Sequence, residues 1–370
     1  MAQEKLLSIC IPTYNRAKAL DRLLENLESE IADVSDFIEI CVSDNGSNDG
    51  TQEILKKWGA MLPLALRRSE KNRGYDINAL EVTKMASGKF LWHMGDDDLV
   101  VAGSVKRLVE DIRSIGDKNV GVIYLNASLR NKWVVNFNFD RFGIYPKDGI
   151  PAPLNVSFGG SICLRRDSAI KVIKEKIEIV DGKLNKKNFD TFAFNDFIHT
   201  YLFMECLCET PSIGIEPRHG MKILADGSRI PYRKKLYLEL IIVKYVLEMK
   251  KRYPWFKESE LIINSKTRVL GRTFLNSGFA LENPGLEYLY QAYLSVVMKV
   301  MEIEKRGFEM SLLKIFSLLR QTPVSRQVIW LGFALLKNAL RMPFDNKAEN
   351  TQVLAANEAY AIDTLKDLLV

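Results

Sequence analysis

The chain has 370 residues, 47% of them hydrophobic and 26% charged, with a formal net charge of +6. That length suits two compact regions better than one, and so mild a basic excess fits an anionic substrate or a membrane surface as well as nucleic acid and does not choose between them, though no nucleic-acid partner is expected. There is no low-complexity tract, no internal repeat and no Cys-x-x-Cys pair, and Cys10, Cys41 and Cys163 sit inside apolar runs, the pattern of buried reduced thiols in a cytoplasmic compartment.

In chain order, the apolar run at 6–11, closed by Pro12, predicts a buried strand. Leu20, Leu23, Leu24 and Leu27 form a helical stripe over 17–27. A second strand over 37–42 leads into the turn-rich Ser43-Asp44-Asn45-Gly46-Ser47-Asn48-Asp49-Gly50. There Asp49 and Gln52 have capping-box spacing and predict a helix to Trp58. A short strand at 64–66 and an amphipathic helix at 75–86 follow. Next come a strand at 89–94, the acidic turn Gly95-Asp96-Asp97-Asp98, a helix from about 102 to 115 and a strand at 120–125. Strands alternating with helices at this interval predict β-α-β units and a mainly parallel sheet.

Beyond about 126 the alternation lapses. Residues 133–139 have strand character, and 141–153, rich in Gly and Pro, reads as loop. Gly159-Gly160-Ser161 reads as a turn entering a strand to Arg166, and 168–174 as a short helix. Asn195 or Asp196 is placed to cap a helix through Glu205. From about 234 the pattern is helical to about 340, with a boundary expected at 229–235. No secretory leader is read at the start of the chain. The longest charge-free apolar stretch near the C-terminus, 327–336, falls short of the roughly 20 residues a spanning helix needs. Residues 310–342 combine Lys314, Arg320, Arg326, Lys337 and Arg341 with Leu, Ile, Phe and Trp and carry no acid. An interfacial membrane contact, a homodimer interface and a helical-bundle core with snorkelling cations all account for that stripe.

The acidic turn is the chemically distinctive stretch. Three adjacent carboxylates at the end of an apolar strand repel one another, and a hard divalent cation, Mg²⁺ or Mn²⁺, is the ordinary remedy. The carboxyl end of a strand in an open α/β sheet is also where ligands bind. An acidic loop that merely precedes a helix is the plainer alternative. Likewise, Thr13-Tyr14-Asn15, Asp44-Asn45-Gly46 and Asn72-Arg73-Gly74 each read alone as turn chemistry. His93, on the strand before the acidic turn, reads as a packed residue.

Four blocks in order carry a resemblance. They are Ile11-Pro12-Thr13-Tyr14-Asn15-Arg16; Val42-Ser43-Asp44-Asn45-Gly46-Ser47 with Asp49-Gly50-Thr51; Asn72-Arg73-Gly74 ahead of Asn78; and Asp96-Asp97-Asp98. Over its first 130 residues the chain resembles the nucleotide-sugar-binding half of family 2 glycosyltransferases of the GT-A fold. The resemblance implies an α/β GT-A domain over 1–230 (a donor half, 1–127, and an acceptor-side half, 128–230) and a mostly helical region over 231–370. It implies donor contacts from Pro12, Thr13, Tyr14, Arg16, Asp44, Asn45, Asn72, Asn78, Asp96 and Asp97, with Asp44 accepting from a base imide. A divalent cation is expected at Asp98 and Asp96, with His219 as a further ligand.

For the reaction, the resemblance implies inversion in one displacement, with a carboxylate as base: Asp196, or else Asp190. The processive Gln-x-x-Arg-Trp element is absent, which points to transfer of a single sugar. The donor is expected to be a nucleoside diphosphate sugar, UDP-linked as commonest in the family. The acceptor is expected to be a glycan or lipid-linked glycan of the bacterial surface, met at the inner face of the plasma membrane. Two alternatives remain open: a sugar nucleotidyltransferase, which would need a Gly-rich phosphate loop after the first strand, and a non-catalytic sugar-binding protein.

Overall fold

The computed structural model describes residues 4–223 apart from 117, 130–131, 152–153, 155, 157–158, 181–182 and 185–197. The expected helical region, its boundary at 229–235 and the basic stripe at 310–342 lie outside the described residues.

The first strand, β1 (Leu7–Thr13), is buried along its whole length. A strand covered on both faces has no polar side to alternate with, so its sequence reads as a continuous apolar run. Helix α1 (Ala17–Ile31) turns Leu20, Leu23, Leu24, Leu27 and Ile31 inward. Each of these fully buried side chains is worth roughly 2 kcal/mol by area. β2 (Ile38–Asp44), α2 (Thr51–Gly59), β3 (Leu64–Arg68), α3 (Tyr75–Met85) and β4 (Phe90–His93) complete the parallel half. Its order is β3-β2-β1-β4, with Thr13 paired to Asp44 and Cys10 to His93, so that the carboxyl ends of β1, β2 and β4 finish side by side.

After β4 come a two-residue strand, β5 (Leu99–Val100), then α4 (Ser104–Ile115) and β6 (Val120–Leu129). Short β7 (Lys132–Trp133) and β8 (Gly143–Pro146) precede β9 (Ile162–Arg165) and α5 (Arg166–Lys176). A two-stranded ribbon, β10 (Ile179–Val180) with β11 (Lys183–Leu184), leads on to α6 (Ile198–Glu209) and β12 (Ser212–Ile223). The sheet runs on from β4 as β9-β6-β12-β5, with β9 antiparallel to both its neighbours and β12 parallel to β6.

Three elements differ from the pattern expected. Strand β8 lies within the Gly- and Pro-rich stretch read as loop. Of the anticipated 133–139 strand only Trp133 falls in a strand, the short β7 paired on β6. β12 runs through Pro217, Arg218 and His219, where two register shifts absorb residues that a regular ladder would reject.

Candidate functional site

The loops leaving β1 and β2 are sewn together. Asn45 N donates to Thr13 O (3.0 Å). Asn15 N donates to Ser47 Oγ (2.8 Å), and Asn48 N returns a bond to Asn15 Oδ1 (2.9 Å). Asn15 takes a positive φ of 52°, a region where Asn is among the tolerated residues. The expected capping box does not form. Asp49 Oδ2 instead accepts from Ala17 N at 3.0 Å, capping the start of α1 from the neighbouring loop, while Asp49 Oδ1 holds the Thr51 hydroxyl. Gln52 turns to Asp44. Tyr14, 40% exposed, stands on this platform.

The third block locks into the second. Asn45 Nδ2 donates to Asn72 Oδ1 (2.9 Å) and Gly74 O (3.1 Å), and Asn45 Oδ1 accepts from Arg73 N (2.9 Å). Gly46, at φ 82°, lies so close to Lys71 that a Cβ there would meet its backbone at 3.0 Å. Asn78 is buried beneath. Its Nδ2 donates to Thr13 O (3.2 Å) and Ser43 O (2.9 Å), and its Oδ1 accepts from Ser43 Oγ (2.6 Å). Asn78 and Asn45 therefore direct these hydrogen bonds into the walls of the site and brace the strand ends.

The acidic turn follows β4 and faces β1. Thr13 Oγ1 donates to Asp96 Oδ2 at 2.7 Å. Burial pushes the Asp96 carboxyl up to about 6, with Asp97 adding to the rise and the Thr13 bond and Arg16 opposing it. Asp97 pairs with Arg16 (Nη1 to Oδ2, 2.8 Å). Asp98 is buried. A Cβ on Gly95 would come within 2.9 Å of Asp98 Oδ2 and 3.1 Å of Asp97 Oδ1, so a side chain there would crowd both carboxylates. A polar stripe on α1 grips the segment beyond: Arg22 Nη2 donates to Asp97 O, Asn26 Oδ1 accepts from Val100 N, and Glu30 Oε2 accepts from Gly103 N. These three residues recur every four positions along the helix, one face of α1.

This donor set fits a hard divalent cation. Asp96 and Asp98 offer carboxylate oxygens in a place where burial already penalises charge on Asp96. Among the described residues no three acidic, His or Cys side chains form a complete ligand set. Mg²⁺ ordinarily takes one or two carboxylates and fills its shell with water and substrate phosphate. His219 lies two residues before Met221, which pairs with Val100 of β5, just after the acidic turn. Nothing is described of its side chain, and Asp190 and Asp196 lie outside the described residues.

His93 is a packed core residue. Thr83 Oγ1 donates its proton to Ala79 O (2.7 Å), so the 3.1 Å contact with His93 Nε2 requires that nitrogen to be the donor. Burial, with the nearby His199, lowers the imidazole to about 3 and keeps it neutral.

Sequence reasoning missed several residues that build the site. Asp76 Oδ1 accepts from Ile198 N (3.1 Å) at the start of α6, and the Tyr75 hydroxyl meets His199 Nδ1 at 3.1 Å. Arg68 Nη2 donates to Ser47 O (3.0 Å). Only the Arg22, Asn26, Glu30 spacing left a local signal.

A mixed sheet whose parallel strands end in a laced, acid-bearing platform, flanked by helices, matches the GT-A glycosyltransferase fold. Solved structures agree. Residues 1–349 of S. aureus TarS in complex with UDP superpose with a TM-score of 0.55 at 15% identity, covering 93% of this chain and 94% of that one. The mannosyltransferase PcManGT of Pyrobaculum calidifontis, in complex with GDP-Man and Mn²⁺, gives 0.50 at 16% identity, covering 92% and 89%.

The family model for glycosyl transferase family 2 matches residues 8–172. The abequosyltransferase RfbV of Salmonella typhimurium is 39% identical over 263 residues, 66% of this chain and 74% of that protein. A GalNAc(5)-diNAcBac-PP-undecaprenol beta-1,3-glucosyltransferase of Campylobacter jejuni is 30% identical over 107 residues, 28% of this chain and 33% of that protein. The chain belongs to glycosyl transferase family 2 and is a glycosyltransferase, which sets aside the nucleotidyltransferase and the non-catalytic binding protein. Among the described residues no helix is long and apolar enough to cross a membrane.

Proposed function

We propose that this enzyme transfers a single sugar from a nucleoside diphosphate sugar to a bacterial surface glycan or its lipid-linked precursor, with inversion and with help from a divalent cation. The observation that carries the donor site is the convergence of the four blocks. Thr13 bridges to Asp96 at 2.7 Å, and Asn45 joins Asn72 and Gly74, in the loops that follow β1, β2, β3 and β4 at their carboxyl ends. In support, solved relatives in the fold hold UDP-GlcNAc and GDP-Man. Two relatives in sequence carry names that place them as an abequosyltransferase and an undecaprenol-linked glucosyltransferase.

In this reading Tyr14 offers its exposed ring to the base or ribose. The Asp44 region forms the base end of the pocket. Asp96 meets the ribose or the cation, and Asp98 and Asp96 hold the cation, with His219 as a further ligand. Arg16 keeps Asp97 neutralised beside them. When bound, the cation offsets the charge that gathers on the leaving diphosphate. The acceptor oxygen attacks the anomeric carbon as the bond from that carbon to the diphosphate oxygen breaks. The hydroxyl proton passes to the Asp196 carboxylate, or to Asp190, and the nucleoside diphosphate departs with the bonding pair. One displacement inverts the anomeric centre.

The test is thermal stability of the full chain with UDP, CDP, GDP and ADP, in Mn²⁺ and then in EDTA. A ligand of the folded state raises the melting temperature. One nucleotide should stabilise the protein in Mn²⁺ only, and Asp98→Ala should abolish the shift. A melting temperature unmoved by every nucleotide in Mn²⁺ would overturn the donor-site assignment.

A further inference from the structure

Helix α6 opens with Ile198, His199 and Thr200, each tied to another part of the fold. Ile198 N donates to Asp76 Oδ1 (3.1 Å), His199 Nδ1 meets the Tyr75 hydroxyl (3.1 Å), and Thr200 Oγ1 donates to Val156 O (2.7 Å). Asp76, Ile198, His199 and Thr200 are buried. The ties to Ile198 and His199 come from the opening turn of α3, and that turn also braces the donor platform. Just ahead of it Gly74 O accepts from Asn45 Nδ2, and within it Asn78 reaches Thr13 O and Ser43 O. One turn of helix therefore joins the platform to the start of α6, although Asp76 and Ile198 stand 122 residues apart in the chain.

We infer that Asp76 is a positioning residue for sugar transfer: it takes the cap of α6 from Asp196 and sets the start of that helix against the donor platform, with Tyr75 as a second tie. This deepens the reading of Asp196 as base and rests on it. A helix leaves its first N–H groups without partners inside it, and a cap side chain accepts from an N–H two or three residues on. A cap at Asp196 would serve Ile198 N or His199 N. Ile198 N is already held by Asp76. Asp76 also lies in the first turn of its own helix, so one carboxylate meets the partial positive charge at both helix starts. That leaves the Asp196 carboxylate for the acceptor proton. A single displacement needs the attacking oxygen, the base and the leaving diphosphate held in one geometry, and small misplacements arising far from the chemistry are costly. Platform and base come from distant stretches of sequence, and Asp76 and Tyr75 tie them.

The experiment is amide hydrogen exchange at the start of α6 in the full chain, with and without UDP, CDP, GDP or ADP in Mn²⁺, beside calorimetric nucleotide affinities. Without nucleotide, Asp76→Ala should speed exchange there about tenfold for one lost hydrogen bond, whereas Asp196→Ala should leave it near the wild-type rate. In the wild type the bound nucleotide should slow exchange there by about fivefold or more, because a ligand that steadies the platform steadies the turn attached to it. Asp76→Ala should keep the nucleotide affinity and lose that slowing. Asp76→Asn, which keeps an oxygen for Ile198 N, should restore it. Exchange as fast in Asp196→Ala as in Asp76→Ala would return the cap to Asp196 and overturn the inference. So would slowing that persists in full without Asp76, or that is absent from the nucleotide-bound wild type. Other failures fall elsewhere: sugar transfer that survives Asp196→Ala would sink the base assignment beneath the inference, and a wild type that binds no nucleotide would sink the donor site.

Discussion

The two halves of the described fold hold themselves together in different ways. In the half built on β1 to β4, side chains of one strand-end loop bind the next, Asn15 with Ser47 and Asn48 and Asn45 with Asn72 and Arg73, while Asn78 of α3 ties the ends of β1 and β2 through Thr13 and Ser43. The ligand platform and the fold are one hydrogen-bonded network. Beyond β4, bonds among the described residues tie separate segments at single points: Trp92 Nε1 to Gly160 O, Thr200 Oγ1 to Val156 O, Asp76 Oδ1 from Ile198 N. The first arrangement makes neighbouring strand-end loops brace one another. The second joins distant stretches of chain pairwise.

The largest effect should come from breaking the first network at its buried knot. Asn78→Ala removes three hydrogen bonds among buried groups and leaves Thr13 O and Ser43 O without them. At about 1 kcal/mol each, the loss should be about 3 kcal/mol, and chemical denaturation would measure it. Because the same residue braces the platform, any nucleotide-induced rise in melting temperature should shrink as well. A variant that loses stability but keeps the full nucleotide shift would separate platform from fold and break the comparison.

The second region yields more gently. Asp76→Ala withdraws one buried acceptor from Ile198 N at the start of α6, a loss of about 1–2 kcal/mol. Nucleotide stabilisation should survive, because no donor-platform bond of β1 or β2 is touched. Loss of the nucleotide shift in this variant would mean that α6 and the platform are one cooperative unit.

The same contrast governed what could be read from sequence. Pro12 to Arg16, Asp44 to Ser47 and Asp96 to Asp98 are legible because each block sits where a fully buried apolar run stops, and their chemistry is local. Elements defined by distant partners were not. Strand β12 carries Pro217 and the charged Glu216, Arg218 and Lys222, yet it pairs with β6, β8 and β5, since bulges absorb the misfit. Asp49 and Gln52 have the spacing of a capping box, but each finds a better partner across the fold, Ala17 N for one and Asp44 for the other. Asp76 carries no local sign that it anchors a helix start more than a hundred residues away.

The seam between α4 and β12 offers the subtlest test. Asp111 on α4 faces Glu216 on β12. Arg218 binds Glu216 through Nε at 2.8 Å and lies 3.9 Å from Asp111 Oδ2, and Arg107 adds a further positive charge. Burial, and then the neighbouring Glu216, push Asp111 up to about 8, against a smaller pull from Arg218 and Arg107. Burial also opposes ionisation of Glu216, but its bonds with Arg218 and Asp111 hold it below the usual carboxylate range. A raised acid keeps its proton in the folded state while the unfolded chain gives it up. Its contribution to stability is complete below about 4 and is lost as pH climbs to about 8. Glu216 acts in the opposite sense and only below about 4.5, outside that climb. Wild-type stability should therefore decline between pH 5 and pH 8 relative to Asp111→Asn, in which an amide can still donate to Glu216 and the titration is gone. Denaturation midpoints of the two proteins across that range decide it. Parallel pH profiles would mean that Asp111 and Glu216 do not share a proton and that the remaining ties across this seam, such as Ser104 Oγ to Gly220 O, hold it without them.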